Sequence, residues 1–230
     1  MTALDRPDQR KRRIAVVSAG LSVPSSTRLL ADMLADASVG AVEARGVEVE
    51  VQHIELRGLA HALTDNLLTG FPSPELAAVI DAVRHADGVI AVTPVFSASY
   101  SGLFKTFFDV LELGVLDGKP VLAAATAGSV RHSLVIDHAL RPLFSYLHAV
   151  VVPTGVFAAT DDFAGPGVAG EGELKKRVDR AAGEFAAMMA GPTGMAVAPP
   201  ATRHLVEDEF EHPTSFEDLL RRASDGPPAY

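Results

Sequence analysis

The chain has no cysteine in 230 residues. Disulfides, a thiolate nucleophile and Cys-ligated zinc or iron–sulfur clusters are therefore excluded, and any redox chemistry must ride on an organic cofactor. Clustered basic charge is also missing. The formal net charge is -9 at pH 7, and the one run of cations, Arg10 to Arg13, reads as a solvated lead-in to the first strand. Affinity for a phosphate backbone needs grouped Lys and Arg, so no nucleic-acid partner is expected. No segment offers the ~18 consecutive apolar residues of a membrane span, and Met1 to Arg13 lacks the apolar core of a signal peptide. The expectation is a cytoplasmic protein with no membrane partner. Metal-ligand spacing is absent too: the histidines form no H-E-x-x-H, and the Asp208, Glu209, Glu211 and His212 group reads as a solvated tail. No metal is expected. Gly165-Pro166-Gly167-Val168-Ala169-Gly170 fits G-x-G-x-x-G by letter, but no strand runs directly into it and no βαβ unit follows. Gly20-Leu21-Ser22-Val23-Pro24 lacks the second glycine of a hydrolase nucleophile elbow.

What is present is an alternation of apolar runs and helical stripes. Ile14 to Val17 reads as a first strand, and Leu30, Met33, Leu34, Ala37 and Ala41 recur at helical spacing behind it. Val47 to Ile54 alternates as a second strand with one face less buried. Gly58 to Pro74 reads as irregular, and Leu76, Val79, Ile80 and Val83 as the next helix. Gly88 to Val92 is a third strand, buried on both faces, and Phe104, Phe107, Phe108 and Leu111 line the helix after it. Lys119 to Ala125 is a fourth strand, followed by a helix over 133–147 that Pro142 kinks or restarts. Val150 to Val152 is a fifth, and Leu174, Val178, Ala181, Phe185 and Met188 mark the last helix. Such alternation, with right-handed crossovers, predicts an α/β three-layer sandwich around a five-stranded parallel sheet in the order 2-1-3-4-5. We expect a polar lead-in over 1–12, one domain over 13–190 and a C-terminal extension over 191–230.

In that order the loops after strands one and three flank the switch point, where open α/β sheets bind ligands, and the loop after strand four is a third candidate. The first loop runs from Ser18 to Thr27 and enters a helix near Ser25 or Ser26. One hydroxyl satisfies a helix start, so Ser25, Ser26 and Thr27 exceed what capping needs and suit a phosphate at the helix N-terminus. The strand-end loop Thr93-Pro94-Val95-Phe96-Ser97-Ala98-Ser99-Tyr100-Ser101-Gly102-Leu103-Phe104-Lys105 is aromatic and hydroxyl-rich, with no acid or base before Lys105. That surface suits a flat heteroaromatic ring. The third loop, Thr126 to Ser133, has small residues that permit close approach to a ring, and it carries Arg131 and His132 as possible contacts to a nucleotide. A phosphomonoester with an aromatic ring describes flavin mononucleotide (FMN) better than a dinucleotide.

These motifs together resemble the NADPH-dependent FMN reductase family, within the flavodoxin-like fold, and in particular the reductases that serve luciferase-like monooxygenases. The Thr93 to Lys105 stretch is similar to the family's T-P-x-Y-x-x-S-x-x-G-x-L-K pattern, and Thr126-Ala127-Gly128-Ser129 to its S-x-G loop. The match spans roughly 13–190. It departs where Ala19-Gly20-Leu21-Ser22 replaces G-S-x-R, and where Arg131-His132 replaces a Gly-Gly pair. The resemblance implies that Ser18, Ser25, Ser26 and Thr27 bind the FMN phosphate, that Pro94, Val95, Phe96, Ser97 and Tyr100 bind the isoalloxazine, and that Thr126, Gly128 and Ser129 bind its other side. It implies NADPH or NADH as hydride donor, a homodimer or homotetramer, and delivery of reduced flavin to a partner such as a flavin-dependent monooxygenase. No catalytic side chain is expected, because transfer from nicotinamide C4 to flavin N5 asks the protein for orientation alone. The competing readings are an FMN-binding electron carrier without nicotinamide oxidation and a quinone or azo-dye reductase on the same fold.

Overall fold

Runs of β-branched and small apolar residues build the strands, because only a backbone paired on both sides can bury so many consecutive side chains. The computed structural model describes residues 11–163 and 171–190. Its strands are β1 (Arg12–Ser18), β2 (Val49–Glu55), β3 (Gly88–Phe96), β4 (Ser99–Tyr100), β5 (Pro120–Ala127), β6 (Val150–Val151) and β7 (Val156–Ala159). The helices are α1 (Ser26–Glu43), α2 (Ala60–Thr69), α3 (Pro74–His85), α4 (Gly102–Asp109), α5 (Arg141–Tyr146) and α6 (Glu171–Ala190). The sheet runs β2-β1-β3-β5-β6, with β7 also on β5, and these pairs are all parallel. With β6 and β7 taken as one interrupted strand, this is the expected doubly wound order. β4 is an antiparallel addition at the end of β3.

Each face of the sheet carries its own core. Ile14, Val16, Ile90, Val92 and Leu122 pack beneath α1 and α6, whereas Ala15, Val17, Val89 and Ala91 face the Phe104, Phe107, Phe108 and Phe144 cluster. Within that cluster Phe104 and Phe108 have ring centroids 4.7 Å apart, and Phe108 meets Phe144 edge-on at 5.0 Å. Gly88 is required beneath α6: a Cβ there would lie 2.6 Å from the Phe185 ring.

Several expectations are corrected. β1 begins at Arg12, inside the lead-in, and β2 ends one residue later than its alternation implied. The stretch 58–74 is not irregular: a 3-10 turn over Leu56–Leu59 runs into α2, burying Leu56, Leu59 and Leu63, and Gly70 closes the helix at φ 78. The helix expected over 133–147 is broken into a π turn (Ile136–Leu140) and α5, with Pro142 at the start of α5 where its missing N–H costs nothing. The fifth strand splits at Pro153, which has no N–H for the ladder. Thr154 in the gap is held instead by Glu184 of α6, through backbone N–H and hydroxyl bonds of 2.8 Å each. In α6 it is Met189, not Met188, that is fully buried. The Gly165 to Gly170 match, the acidic group at 208–212 and the extension over 191–230 lie outside the described residues. No helix among those described is long and apolar enough to cross a membrane.

Lys119, at the start of β5, donates its Nζ to the carbonyl of Val83 at 2.9 Å and to that of Arg84, at the end of α3. Burial lowers its pKa from 10.5 to about 8. The unfolded chain then holds this proton through a range where the folded chain has lost it, so stability from this group rises with pH. The gain is fully present above 10.5 and is lost as pH falls through about 8. In urea titrations the wild type should therefore gain stability relative to Lys119→Met between those two pH values. A difference that stays flat across the window would rule out the assigned shift.

Candidate functional site

The carboxyl ends of β1, β3 and β5 come together because the three strands are neighbours in register. Ser18 pairs with Val92, and Pro94 with Thr126. Beyond β1, the Ala19 N–H still donates to the Val92 carbonyl at 3.0 Å, and the chain then turns through a cis Val23-Pro24 peptide into α1. Ser25 caps this helix, its Oγ accepting from the Arg28 N–H at 3.2 Å. The turn is so tight that a methyl at Gly20 would collide with Ser25 Oγ and stand 3.1 Å from Thr27 Cβ. Glycine is needed there for close approach, not for a special φ.

Helix starts normally attract Asp or Glu, which complement the partial positive charge of the unpaired N–H groups. The first turn of α1 has none, and offers Ser26, exposed, and Thr27, buried. The nearest guanidinium is already committed: Arg28 bonds Asp32 at 2.7 Å and also Glu55, and the Asp32 bond leads the causes that raise its pKa. Arg28 therefore does not replace the missing arginine of the first loop. What remains in the first turn is a set of N–H and O–H donors with no carboxylate among them, which suits a phosphate, while Asp32 and Glu55 nearby are both paired with Arg28.

The second loop is a hairpin. β4 folds back so that Val95 pairs with Tyr100 and Phe96 with Ser99, and the two residues at the turn, Ser97 and Ala98, sit at φ 49 and 68. These are the left-handed positions of a type I′ turn, where Asn and Gly are usual. Thr93, fully buried, fixes the far end: its Oγ1 accepts from the Ser101 N–H at 3.0 Å and donates to the Pro94 carbonyl at 2.9 Å. Ser101 in turn caps α4 by accepting from the Phe104 N–H at 3.2 Å. The result is a stiff apolar wall, with Pro94, Val95 and Tyr100 half-buried and Phe96 and Ser97 exposed at its rim. Lys105 is paired with Asp109 on the outer face of α4.

In the third loop Thr126 and Ala127 prove to be the last residues of β5. Thr126 does not present its side chain to solvent; its Oγ1 bonds Thr27 Oγ1 at 2.8 Å, and both residues are buried. Ser18 is buried as well. Gly128 is exposed, and a Cβ on it would meet open space. Ser129 is half-buried, and Arg131 and His132 are exposed on the 3-10 turn Val130–His132. Among the described residues neither makes an ion pair. Behind this loop a cavity of about 620 Å³ opens towards Thr154, Gly155 and Phe157. Its two arginines, Arg141 and Arg177, are each paired with a carboxylate, Asp137 and Asp162, at 2.8 Å. Sequence reasoning missed Gly20, Thr93 and Ser101 as supports of the site. A threonine inside an otherwise apolar strand was the available signal for Thr93.

The family model for NADPH-dependent FMN reductases matches residues 12–164. The chain belongs to the NADPH-dependent FMN reductase family. It is 38% identical over 179 residues to an FMN reductase (NADPH) of Pseudomonas aeruginosa, covering 78% of this chain and 93% of that protein. It is 40% identical over 182 residues to an NADH-dependent FMN reductase, SfnF, of Pseudomonas fluorescens, covering 79% and 94%. Among solved structures, an oxidoreductase from Corynebacterium diphtheriae is 52% identical with a TM-score of 0.75, covering 78% of this chain and 97% of that one. The chain shares the flavodoxin-like fold with a flavodoxin, WrbA-like protein from Agrobacterium tumefaciens (TM-score 0.53, 16% identity), and with its family an oxidoreductase activity using FMN and a nicotinamide nucleotide.

The left-handed Ala98 should respond to substitution. Ala98→Gly relieves the contact between Cβ and backbone, and is expected to raise stability by about 1 kcal/mol in chemical denaturation despite glycine's greater unfolded-state entropy. A loss of stability would mean that the turn is not held at this φ in solution.

Proposed function

We propose that this enzyme reduces FMN with NADPH or NADH at the junction of the three loops, and that each loop has one task. The observation that carries the reading is the juxtaposition of a hydroxyl-lined helix start, whose first turn carries no acid, with a rigid aromatic hairpin, on adjacent strands in register. Ser18, Ser25, Ser26 and Thr27 form the phosphate end. Pro94, Val95, Phe96, Ser97 and Tyr100 form the wall for the isoalloxazine, and Gly128 and Ser129 approach it from the other side. Arg131 and His132, exposed and without ion-pair partners among the described residues, are positioned to meet the phosphates of the nicotinamide nucleotide.

Bound at this site, FMN supplies the two-electron acceptor for a hydride from the nicotinamide. The chain's own part is to orient and to exclude water. No general acid or base stands between Thr93 and Gly102, and an orienting site needs none. We further propose that reduced flavin is passed to a flavin-dependent monooxygenase and that the working form is a cytoplasmic homodimer or homotetramer. Exposed Leu67, Leu68, Phe71 and Leu113 favour association, since each leaves a large apolar side chain in water. Relatives named for NADPH and for NADH both occur, so either nucleotide is a candidate donor.

Purified protein mixed with FMN and either nucleotide should oxidise the nicotinamide, faster with free FMN than with a quinone or an azo dye. Absence of turnover with both nucleotides would return the chain to the electron-carrier reading. Ser26→Ala should weaken FMN binding by ~1.5 to 3 kcal/mol through loss of a charge-assisted bond to the phosphate. An unchanged FMN titration would remove Ser26 from the phosphate subsite.

A further inference from the structure

The Thr27 and Thr126 hydroxyls form a closed account with one proton left over. Each residue is 3% exposed, and among the described residues each hydroxyl has the other as its hydrogen-bond partner at 2.8 Å. A threonine hydroxyl carries one donor and accepts at two lone pairs. A pair therefore holds two protons, of which one closes the bond between them. Among the described residues the other has no acceptor, and in so buried a pair it has little access to water, a state that costs free energy unless a ligand takes the donor.

Position decides which hydroxyl meets that ligand. Thr27 lies in the first turn of α1, among the unpaired N–H groups, and Thr126 lies within β5. A phosphate offers acceptors and no donor at the relevant oxygens, so a hydroxyl touching it must donate its one O–H there, and its bond to the other threonine must then be one it accepts. The chain of bonds then has one allowed direction: Thr126 O–H to Thr27 Oγ1, and Thr27 O–H to a phosphate oxygen. Bonds in series polarise one another, and the terminal bond to a charged acceptor gains most.

We propose that Thr126 is a positioning residue of the phosphate subsite, holding the Thr27 hydroxyl as a donor to the flavin phosphate and thereby setting the preference for FMN over riboflavin. This reassigns Thr126 from the ring to the phosphate end, although it stands on the ring loop. It rests on the reading of the Ser18 to Thr27 loop as the phosphate site. It also gives a reason for two hydroxyls buried between α1 and β5 where valines would fit the same space.

The test is a titration of the full chain with FMN and with riboflavin, read by flavin fluorescence, in wild type, Thr126→Val, Thr126→Ser and Thr27→Val. Thr126→Val should weaken FMN about 5- to 30-fold while riboflavin stays within about twofold, and Thr126→Ser should restore FMN affinity. Thr27→Val should lose the same selectivity, and the double variant should lose little more than either single one, as groups in series do. Equal losses for both flavins in Thr126→Val would return the residue to the ring and overturn the proposal, as would unchanged FMN affinity. Riboflavin binding reports folding in every variant; should the valine fail to fold, Thr126→Ala reads the same ratio. A wild type that binds both flavins equally would instead overturn the phosphate reading itself, which separates the two failures.

Discussion

Everything at the site depends on β3 being paired in register with β1 on one side and β5 on the other. Register fixes Ser18 beside Val92 and Pro94 beside Thr126, so three loops leave the sheet at nearly one level and have to share one space. The crossover from β1 lays α1 across β3 as well as β1, and brings its first turn within hydrogen-bond reach of β5. A slip of one residue in either pairing would exchange the two cores, because Ile14 and Val16 serve one face and Ala15 and Val17 the other. The burial of those strands is therefore also what locates the three loops of the candidate site.

The hairpin after β3 shows how that constraint is used. Two residues with side chains are held left-handed, at roughly 1–2 kcal/mol each relative to the usual conformation. The turn persists because its neighbours over-determine it: two paired positions in β4, the Thr93 hydroxyl on the Ser101 N–H, and Tyr100 packed towards Phe104 with centroids 6.0 Å apart. Strain of this kind is found where a surface must be held in place before its ligand arrives. Here it holds Phe96 out at the rim, where nearly half its surface is exposed. An aromatic ring left in water by a strained turn is costly twice over, and a flat ligand against it removes part of that cost.

Much of this was legible in the sequence, and the failures have physical causes. The strands and the order 2-1-3-4-5 followed from apolar runs separated by helical stripes, the first two loops followed from that order, and the third was chosen for its small residues. α2 was hidden because Gly58 and Gly70 read as loop residues, although Leu56, Leu59 and Leu63 carry the helical period and Gly70 is the helix stop. The interruption of the last strand at Pro153 was masked by the valines before it. Candidate residues of the site were found by type and position, but their partners were not. Nothing in the local pattern at Thr27 or Thr126 says that they meet, since the bond joins residues 99 apart in the chain. Hydroxyl counting pointed to the first loop, and only the fold reveals how its hydroxyls are bonded.

Charge gives the last step. In the neighbourhood of the three loops the cations are mostly spoken for: Arg28 by Asp32 and Glu55, Lys105 by Asp109, and Arg141 and Arg177 by Asp137 and Asp162. A phosphate held here meets helix N–H groups and hydroxyls in place of a guanidinium. Such donors recognise through geometry, with a smaller contribution from long-range attraction in a chain whose net charge is -9. Binding that leans on short, directional bonds is sensitive to the direction of each donor, and the proposed role of Thr126 in orienting the Thr27 hydroxyl rests on that sensitivity. It also leaves Arg131, exposed beside His132, as a cation with no ion-pair partner among the described residues, on the side assigned above to the nicotinamide nucleotide.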